Sequence, residues 1–150
     1  MRTAGARDPV AENVAEDLGD AEYRDLLAFR TAIRRFLHWS EERATALGVT
    51  PAQHQLLLAI RGHEGGSPTI GDVAGSLLLR HHSAVGLVDR AVAADLVERR
   101  SDPEDHRLVR LHLTTLGARR LRQLSGLHLA ELRRVMPALG PALFGDSGDQ

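Results

Sequence analysis

The sequence contains neither cysteine nor lysine, and only 3% of its 150 residues are aromatic. Without cysteine, disulfides, thiolate metal sites and a redox-sensing thiol are chemically excluded. Without lysine, the chain lacks the phosphate-binding lysine of a P-loop and the amine that Schiff-base catalysis requires. The scarcity of aromatic side chains argues against single-stranded nucleic acid as a ligand, because its bases stack on phenylalanine, tyrosine or tryptophan.

Long apolar runs and enzyme signatures are also missing. No segment approaches the roughly 20 consecutive apolar residues that cross a bilayer, and the N-terminus has no apolar core of signal-peptide length. We therefore expect a cytoplasmic protein without membrane contacts. His63-Glu64 is not part of an HExxH motif, Ser76 and Ser83 are not in GxSxG motifs, and GxGxxG is absent. We expect no enzyme activity, no cofactor and no metal site.

The length and the 43% hydrophobic content fit one compact domain. The formal net charge is −1, so any basic surface must be local. Residues 1–75 carry eight arginines against eleven acidic residues, whereas residues 76–150 carry eleven against nine. The basic excess therefore lies in the second half of the chain.

Two helices are predicted in the first part of the chain. Residues 1–20 are polar and net acidic, and we expect them to form a tail. Apolar residues at helical spacing then predict a long helix over residues 21–47, which Gly48 ends. Thr50-Pro51-Ala52-Gln53 is a capping-box signal for a second helix that ends near Arg61.

Two shorter helices are predicted after a loop over residues 62–68. Thr69, with Asp72 three residues later, caps the first of them. Residues 77–79 form a turn, and the second helix runs from His81 to Ala94 with an apolar face that points inward, made of Ala84, Leu87, Val88 and Ala91. Two short helices joined by a tight turn are typical of a helix-turn-helix.

A β-hairpin and a last long helix complete the predicted fold. Residues 96–100 and 108–113 flank a polar turn, and Val109, Leu111 and Leu113 of the second strand are expected to face inward. Thr115 caps the last helix, which Pro137 ends or kinks before a short helix that runs to about residue 144. The predicted fold class is mainly α with a small β-hairpin wing, a winged helix-turn-helix.

The two long helices carry more apolar surface than one small core requires. Pairing with their copies in a second subunit would bury this surface, so the sequence predicts a homodimer. The expected organisation is a tail over 1–20, dimerisation helices over 21–47 and 115–144, and a winged helix-turn-helix DNA-binding lobe over 48–114, all in one intertwined domain.

The fourth predicted helix carries groups that suit the major groove of DNA. His81, His82 and Ser83 lie in its first turn, and Arg90 lies two turns later. Gly86 lies on the same face and leaves room where DNA would come closest. Helix capping is the alternative role for the first-turn residues. A metal pair of histidines is disfavoured because adjacent helical residues point about 100° apart.

The tip of the predicted wing carries Asp105-His106-Arg107. An arginine at the end of a wing can enter the minor groove, and a nearby carboxylate can orient its guanidinium. A solvated surface position is the alternative for both Arg90 and Arg107. The residues predicted to contact duplex DNA, or to orient a contact, are Arg80, His81, His82, Ser83, Gly86, Arg90, Asp105 and Arg107.

The stretch from Ile70 to Gly117 resembles the MarR (multiple antibiotic resistance regulator) family of winged helix-turn-helix regulators. The resemblance is carried by Leu87-Val88-Asp89-Arg90, by the Asp-x-Arg of the wing, and by Leu113-Thr114-Thr115-Leu116-Gly117, which is similar to the family's Leu-Thr-x-x-Gly. It extends over roughly residues 23–144. Asp95 departs from the pattern, because the family commonly has glycine or asparagine where the recognition helix ends.

The resemblance implies a dimer on a palindromic operator, usually a repressor that a small-molecule effector releases. The family's effector pocket lies between the dimerisation and DNA-binding parts, which points to Phe36, His38, Trp39, His54 and His63. Packing in the core or in loops is the alternative role for these residues. A winged-helix protein that keeps only protein contacts is a further alternative, but it would be expected to lack arginines at positions 90 and 107.

Overall fold

The structure is a computed structural model that describes residues 18–144 of the chain, with side chains described through residue 137. The predicted tail lies almost wholly outside the described residues. The contacts divide the chain into a central unit, residues 36–134, and a second unit that holds the remaining residues at both ends.

The described residues form helices and one β-hairpin in the predicted order. The elements are α1 (Asp20–Ala46), α2 (Pro51–Arg61), α3 (Ile70–Ser76), α4 (His81–Ala93), β1 (Val97–Ser101), β2 (Val109–Leu113) and α5 (Thr115–Phe144). The strands pair antiparallel, with Val97 opposite Leu113 and Ser101 opposite Val109. The predicted mainly α fold with a β-hairpin wing is confirmed.

Local capping signals account for where the early helices begin and end. Thr50 and Gln53 form the predicted capping box at α2, with N–H to side-chain oxygen distances of 3.0 and 3.1 Å. Thr69 and Asp72 form a second capping box at α3. Gly48, just after α1, has a φ of +72°, the left-handed conformation expected of a residue that ends a helix.

The core of the central unit joins the helix-turn-helix to the wing. Leu56 and Leu57 of α2, Val88 of α4, Leu111 of β2 and Leu124 of α5 are all completely buried. Burying one such side chain contributes about 1.5–3 kcal/mol. The four apolar residues predicted to face inward from α4 are all buried, so its polar face points to solvent.

Three predictions about the C-terminal elements were wrong in detail. Thr114, not Thr115, caps α5, because its Oγ1 accepts the N–H of Gly117 at 3.0 Å. Val109 is 40% exposed, because it lies at the outer end of the hairpin, beyond the core. Pro137 does not end the last helix, and α5 continues to Phe144. A proline removes one N–H donor from a helix without necessarily terminating it.

The second unit contains the first part of α1. Four of its large apolar side chains are substantially exposed, Tyr23, Leu26, Leu27 and Ile33, and Leu27 is 62% exposed. No helix in the described part of the chain is both long enough and apolar enough to cross a membrane.

Candidate nucleic-acid interface

The first turn of α4 presents its polar groups to solvent. His81, His82 and Ser83 are exposed, and Arg80 occupies the N-cap position. No side chain forms a capping hydrogen bond at this end of α4 within the described residues, so the capping role considered for the histidines and Ser83 is not observed. The helix N-terminus therefore keeps donors and partial positive charge that suit a phosphate group.

Gly86 and Arg90 are neighbours on the exposed face of α4. A Cβ atom added at Gly86 would lie 3.3 Å from Nη1 of Arg90, so the guanidinium folds back over the glycine. The glycine thus makes room for a side chain of its own helix. This contact was not foreseen from the sequence, although the i, i+4 spacing of the two residues is compatible with it.

An ion pair links α4 to the wing. Nη2 of Arg99 in β1 lies 2.5 Å from Oδ1 of Asp89, and both side chains are partly exposed. Neither residue was among the predicted site residues. The pair joins the two predicted DNA-reading elements, the helix and the hairpin.

The wing tip holds Arg107 in the predicted way. Nε and Nη2 of Arg107 donate to the two carboxylate oxygens of Asp105 at 3.0 and 3.1 Å, and the Arg107 backbone N–H donates to Oδ1. These bonds lower the pKa of Asp105 and raise that of Arg107. The side chain of Arg107 is still 90% exposed, so its guanidinium is oriented and remains accessible.

Asp102 organises the turn behind this tip. Its Oδ1 accepts the backbone N–H groups of Glu104 and Asp105 at 2.8 and 2.9 Å, and its Oδ2 accepts Nε of Arg110 at 2.8 Å. The bond from Arg110, followed by the two backbone bonds, lowers the pKa of Asp102 to about 2. The carboxylate therefore stays charged at neutral pH and keeps the tip in one conformation.

The hairpin is also tied to the loop before α3. The N–H of Leu111 donates to the carbonyl of Pro68 at 2.8 Å, and Oγ of Ser67 lies 3.0 Å from Nδ1 of His112. Nη1 of Arg110 reaches the Ser67 carbonyl at 3.4 Å. These contacts fix the base of the wing against the helix-turn-helix.

Two non-glycine residues next to α4 have left-handed backbone conformations. Asp95, after α4, has a φ of +57°, a left-handed conformation that glycine adopts more readily than aspartate. Leu78, in the turn before α4, has a φ of +54° and is 93% exposed. The Leu78 conformation was missed, because leucine gives no local signal for a positive φ.

An aromatic cluster forms at the predicted effector residues. The rings of Phe36, Trp39 and His54 each lie within 5.8 Å of the ring of His128, measured between centroids. His54 is buried, and its pKa is lowered by burial and, to a smaller extent, by His128. Ser40 Oγ lies 2.5 Å from Nε2 of His128. His128 is thus part of this cluster, although it was not among the predicted effector residues.

The two other predicted effector residues lie elsewhere. Nε2 of His38 is 3.5 Å from Glu42 on the exposed side of α1, and Nε2 of His63 is 3.8 Å from Asp72. Neither belongs to the aromatic cluster around His128. In the described part of the chain, no group of three or more histidine and acidic residues is arranged to hold a metal ion.

The arrangement of α3, α4 and the hairpin defines a winged helix-turn-helix protein. Residues 47–108 match the model of the MarR family. Over 57 residues the chain is 42% identical to the uncharacterized HTH-type transcriptional regulator YsmB of Bacillus subtilis. That alignment covers 38% of this chain and only 39% of the relative.

Solved structures extend the likeness over most of the chain. Wild-type MarR from E. coli in its apo form is 27% identical, with a TM-score of 0.61 over 87% of this chain and 90% of that one. The S. aureus MepR F27L mutant bound to an oligodeoxyribonucleotide shares the fold, with a TM-score of 0.63 at 20% identity over 75% of this chain and 80% of that one. Residues 47–108 therefore resemble the DNA-binding part of the MarR family, and the solved structures share the fold of this chain.

Proposed function

We propose that the chain is a sequence-specific transcriptional regulator that binds duplex DNA as a homodimer. The observation that carries the proposal is the wing tip, where Asp105 holds an exposed Arg107 by two parallel hydrogen bonds. An oriented arginine suits a narrow minor groove, where the negative potential is strongest. MepR, which shares the fold and whose F27L mutant was solved bound to an oligodeoxyribonucleotide, supports DNA as the partner.

In this proposal α4 enters the major groove. Its first turn offers His81, His82 and Ser83 to base edges and phosphates, and Arg90 reaches from two turns further on. Arg80 lies at the N-cap, beside the phosphate backbone. Because Gly86 has no side chain, it leaves room for the Arg90 side chain on this face of the helix. Asp105 orients Arg107 and reads no base itself.

We propose a dimer built from residues 21–47 and 115–144, with residues 48–114 as the DNA-binding lobe. The apolar side chains left exposed on the long helices, such as Leu26, Leu27 and Leu129, support a partner surface. A two-fold dimer matches a palindromic operator. Light scattering that gives a monomer at micromolar concentration would contradict this part of the proposal.

We further propose that the protein is a repressor released by a small-molecule effector. The cluster of Phe36, Trp39 and His54 around His128 supports a small-molecule binding site there, because it combines apolar rings with a few polar atoms. His38 and His63 lie apart from this cluster, so they would contact the effector only at the edge of the site.

The test measures DNA affinity by fluorescence anisotropy on the DNA upstream of the protein's own gene and on random duplex at physiological salt. Arg107→Ala should weaken specific binding roughly tenfold or more, because a DNA-contacting arginine contributes about 1–3 kcal/mol. Arg134→Ala is the matched control, since Arg134 is also exposed and also pairs with a nearby carboxylate, Glu131.

Two results would overturn the DNA-binding proposal. One is wild-type protein that shows no preference for the upstream DNA over random duplex. The other is an Arg107→Ala variant that binds as tightly as Arg134→Ala. Specific binding should also decline steeply as salt is raised, because arginine contacts release counterions from the phosphates.

A further inference from the structure

The turn that leads into α4 contains a leucine in an unfavourable backbone conformation. Leu78 has a φ of +54°, in the left-handed region where the Cβ atom of an L-residue lies too close to the following carbonyl oxygen. The N–H of Leu79 donates to the carbonyl of Ala74 at 2.9 Å, as in a Schellman motif that closes the end of a helix. The left-handed position of that motif is usually glycine, which adopts it without steric cost.

The side chain of Leu78 is not buried in exchange for this strain. It is 93% exposed, the largest fraction of any large apolar side chain in the described part of the chain, where the next is Leu27 at 62%. A single exposed leucine is common on protein surfaces, but a positive φ in a residue other than glycine is uncommon. The packing of the fold therefore gives no reason for leucine at this position, and strained residues of this kind are concentrated at functional sites.

Leu78 lies beside the proposed DNA-reading surface. It comes two residues before Arg80, the N-cap of α4, and three before His81. Because consecutive Cα atoms are about 3.8 Å apart, the Cα atoms of Leu78 and His81 lie within about 11 Å of each other. The major groove is about 12 Å wide, so a first turn of α4 inside the groove brings Leu78 into it or to its edge. The exposed guanidinium of Arg80 favours a polyanionic partner here.

We propose that Leu78 contacts the C5-methyl group of a thymine in the operator and thereby contributes to sequence preference. A leucine side chain neither donates nor accepts a hydrogen bond, and the thymine methyl is the apolar group that base pairs present in the major groove. The contact removes apolar surface of both partners from water. This inference rests on the proposed DNA-binding function and adds to it a residue outside α4 and the wing.

The variant Leu78→Gly is a sharp test, because its effects on stability and on DNA binding should have opposite signs. Glycine relieves the strain at a φ of +54°, so the thermal midpoint without DNA should rise by up to about 4 °C and should not fall. Affinity for the upstream duplex, measured by fluorescence anisotropy at physiological salt, should fall about three- to tenfold. Leu58→Ala is the control, since Leu58 is 48% exposed but lies on α2, and its affinity should match the wild type.

Replacing the thymines of the duplex by uracil, one position at a time, tests for the methyl group itself, because uracil lacks only that group. Wild-type protein should bind at least one substituted duplex about three- to tenfold more weakly. Leu78→Gly should bind that duplex and the thymine duplex equally, because the two changes remove the same contact. Leu78→Met, which keeps an apolar side chain, should retain the preference for thymine.

Four results would each overturn the proposal. Leu78→Gly could bind the thymine duplex as tightly as Leu58→Ala does, or unfold at a lower temperature than the wild type. Uracil could leave wild-type binding unchanged at every position, or weaken Leu78→Gly as much as the wild type.

Other occupants of this surface are distinguished by the same proteins. A change of oligomeric state in Leu78→Gly, seen by light scattering without DNA, would assign Leu78 to an interface between copies of the chain and overturn the thymine contact. Wild-type protein without preference for the upstream duplex would contradict the proposed function and this inference with it. Specific binding by the wild type together with unchanged binding by Leu78→Gly would contradict this inference alone.

Discussion

Replacing Gly117 with alanine places a methyl group against the main chain of the segment between α4 and β1. A Cβ atom at this position would lie 2.0 Å from the carbonyl oxygen of Leu96 and 2.9 Å from its carbonyl carbon. Real Cβ atoms essentially never lie closer than 3.0 Å to such an atom, so α5 and the Leu96 segment must separate by about 1 Å. The obstacle is backbone, which cannot rotate away as a side chain can.

The expected loss of stability follows from the contacts that this separation disturbs. Forcing an extra methyl group into a packed region costs about 1–3 kcal/mol. The same shift strains the hydrogen bond from the Thr114 N–H to the Leu96 carbonyl, now 3.1 Å, and such a bond contributes about 0.5–1.5 kcal/mol. Alanine has a higher helix propensity than glycine, which offsets this destabilisation by at most about 1 kcal/mol. We expect a net loss of about 2–3 kcal/mol in the free energy of unfolding.

Urea unfolding followed by circular dichroism measures this loss, at one fixed protein concentration because a dimer's stability depends on it. A thermal melt should show a midpoint lower by about 4–12 °C, since 1 kcal/mol corresponds to about 2–4 °C at this chain length. Gly75→Ala is the control, because Gly75 also lies in a helix and has no atom within 4 Å of its added Cβ. The reasoning is refuted if the two variants have the same stability or if Gly117→Ala matches the wild type.

Two further predictions concern stability. Asp95→Gly should raise the free energy of unfolding by up to about 1 kcal/mol, because glycine adopts the φ of +57° without steric cost. The control is Ala94→Gly, which should lower the free energy of unfolding because the φ of Ala94 is −85°. Equal effects of the two substitutions would contradict the argument. Because the pKa of His54 is lowered from 6.5 in the folded protein, the unfolded chain binds a proton more readily. The urea concentration at the unfolding midpoint should therefore fall as the pH is lowered from about 7.5 to about 5.5. His54→Gln should reduce that fall, and an unchanged pH dependence would show that His54 is not responsible.

The features that were predicted correctly have signals confined to a few neighbouring residues. The capping boxes at Thr50 and Thr69 each need one hydroxyl and one side chain three residues later, so the sequence alone is sufficient. The pair formed by Asp105 and Arg107 spans only two residues. The helical spacing of apolar residues likewise predicted which face of α4 is buried, because that spacing can be read within the helix itself.

The features that were missed depend on residues brought together by tertiary packing. Ser40 and His128 are 88 positions apart, and nothing in either segment indicates that the other is near. Asp89 and Arg99 lie in different elements, so their pairing depends on how the hairpin leaves α4.

The Leu-Thr-x-x-Gly segment has a physical basis that its spacing alone does not reveal. Oγ1 of Thr114 accepts the Gly117 N–H and donates to the carbonyl of Asp95 at 2.5 Å, while the Thr114 N–H donates to the carbonyl of Leu96. Gly117 lacks the Cβ that would collide with that same carbonyl. The threonine and the glycine therefore act together on Asp95 and Leu96, in the segment between α4 and β1. Because those residues lead into β1 and Thr114 follows β2, this junction sets the base of the wing relative to α4.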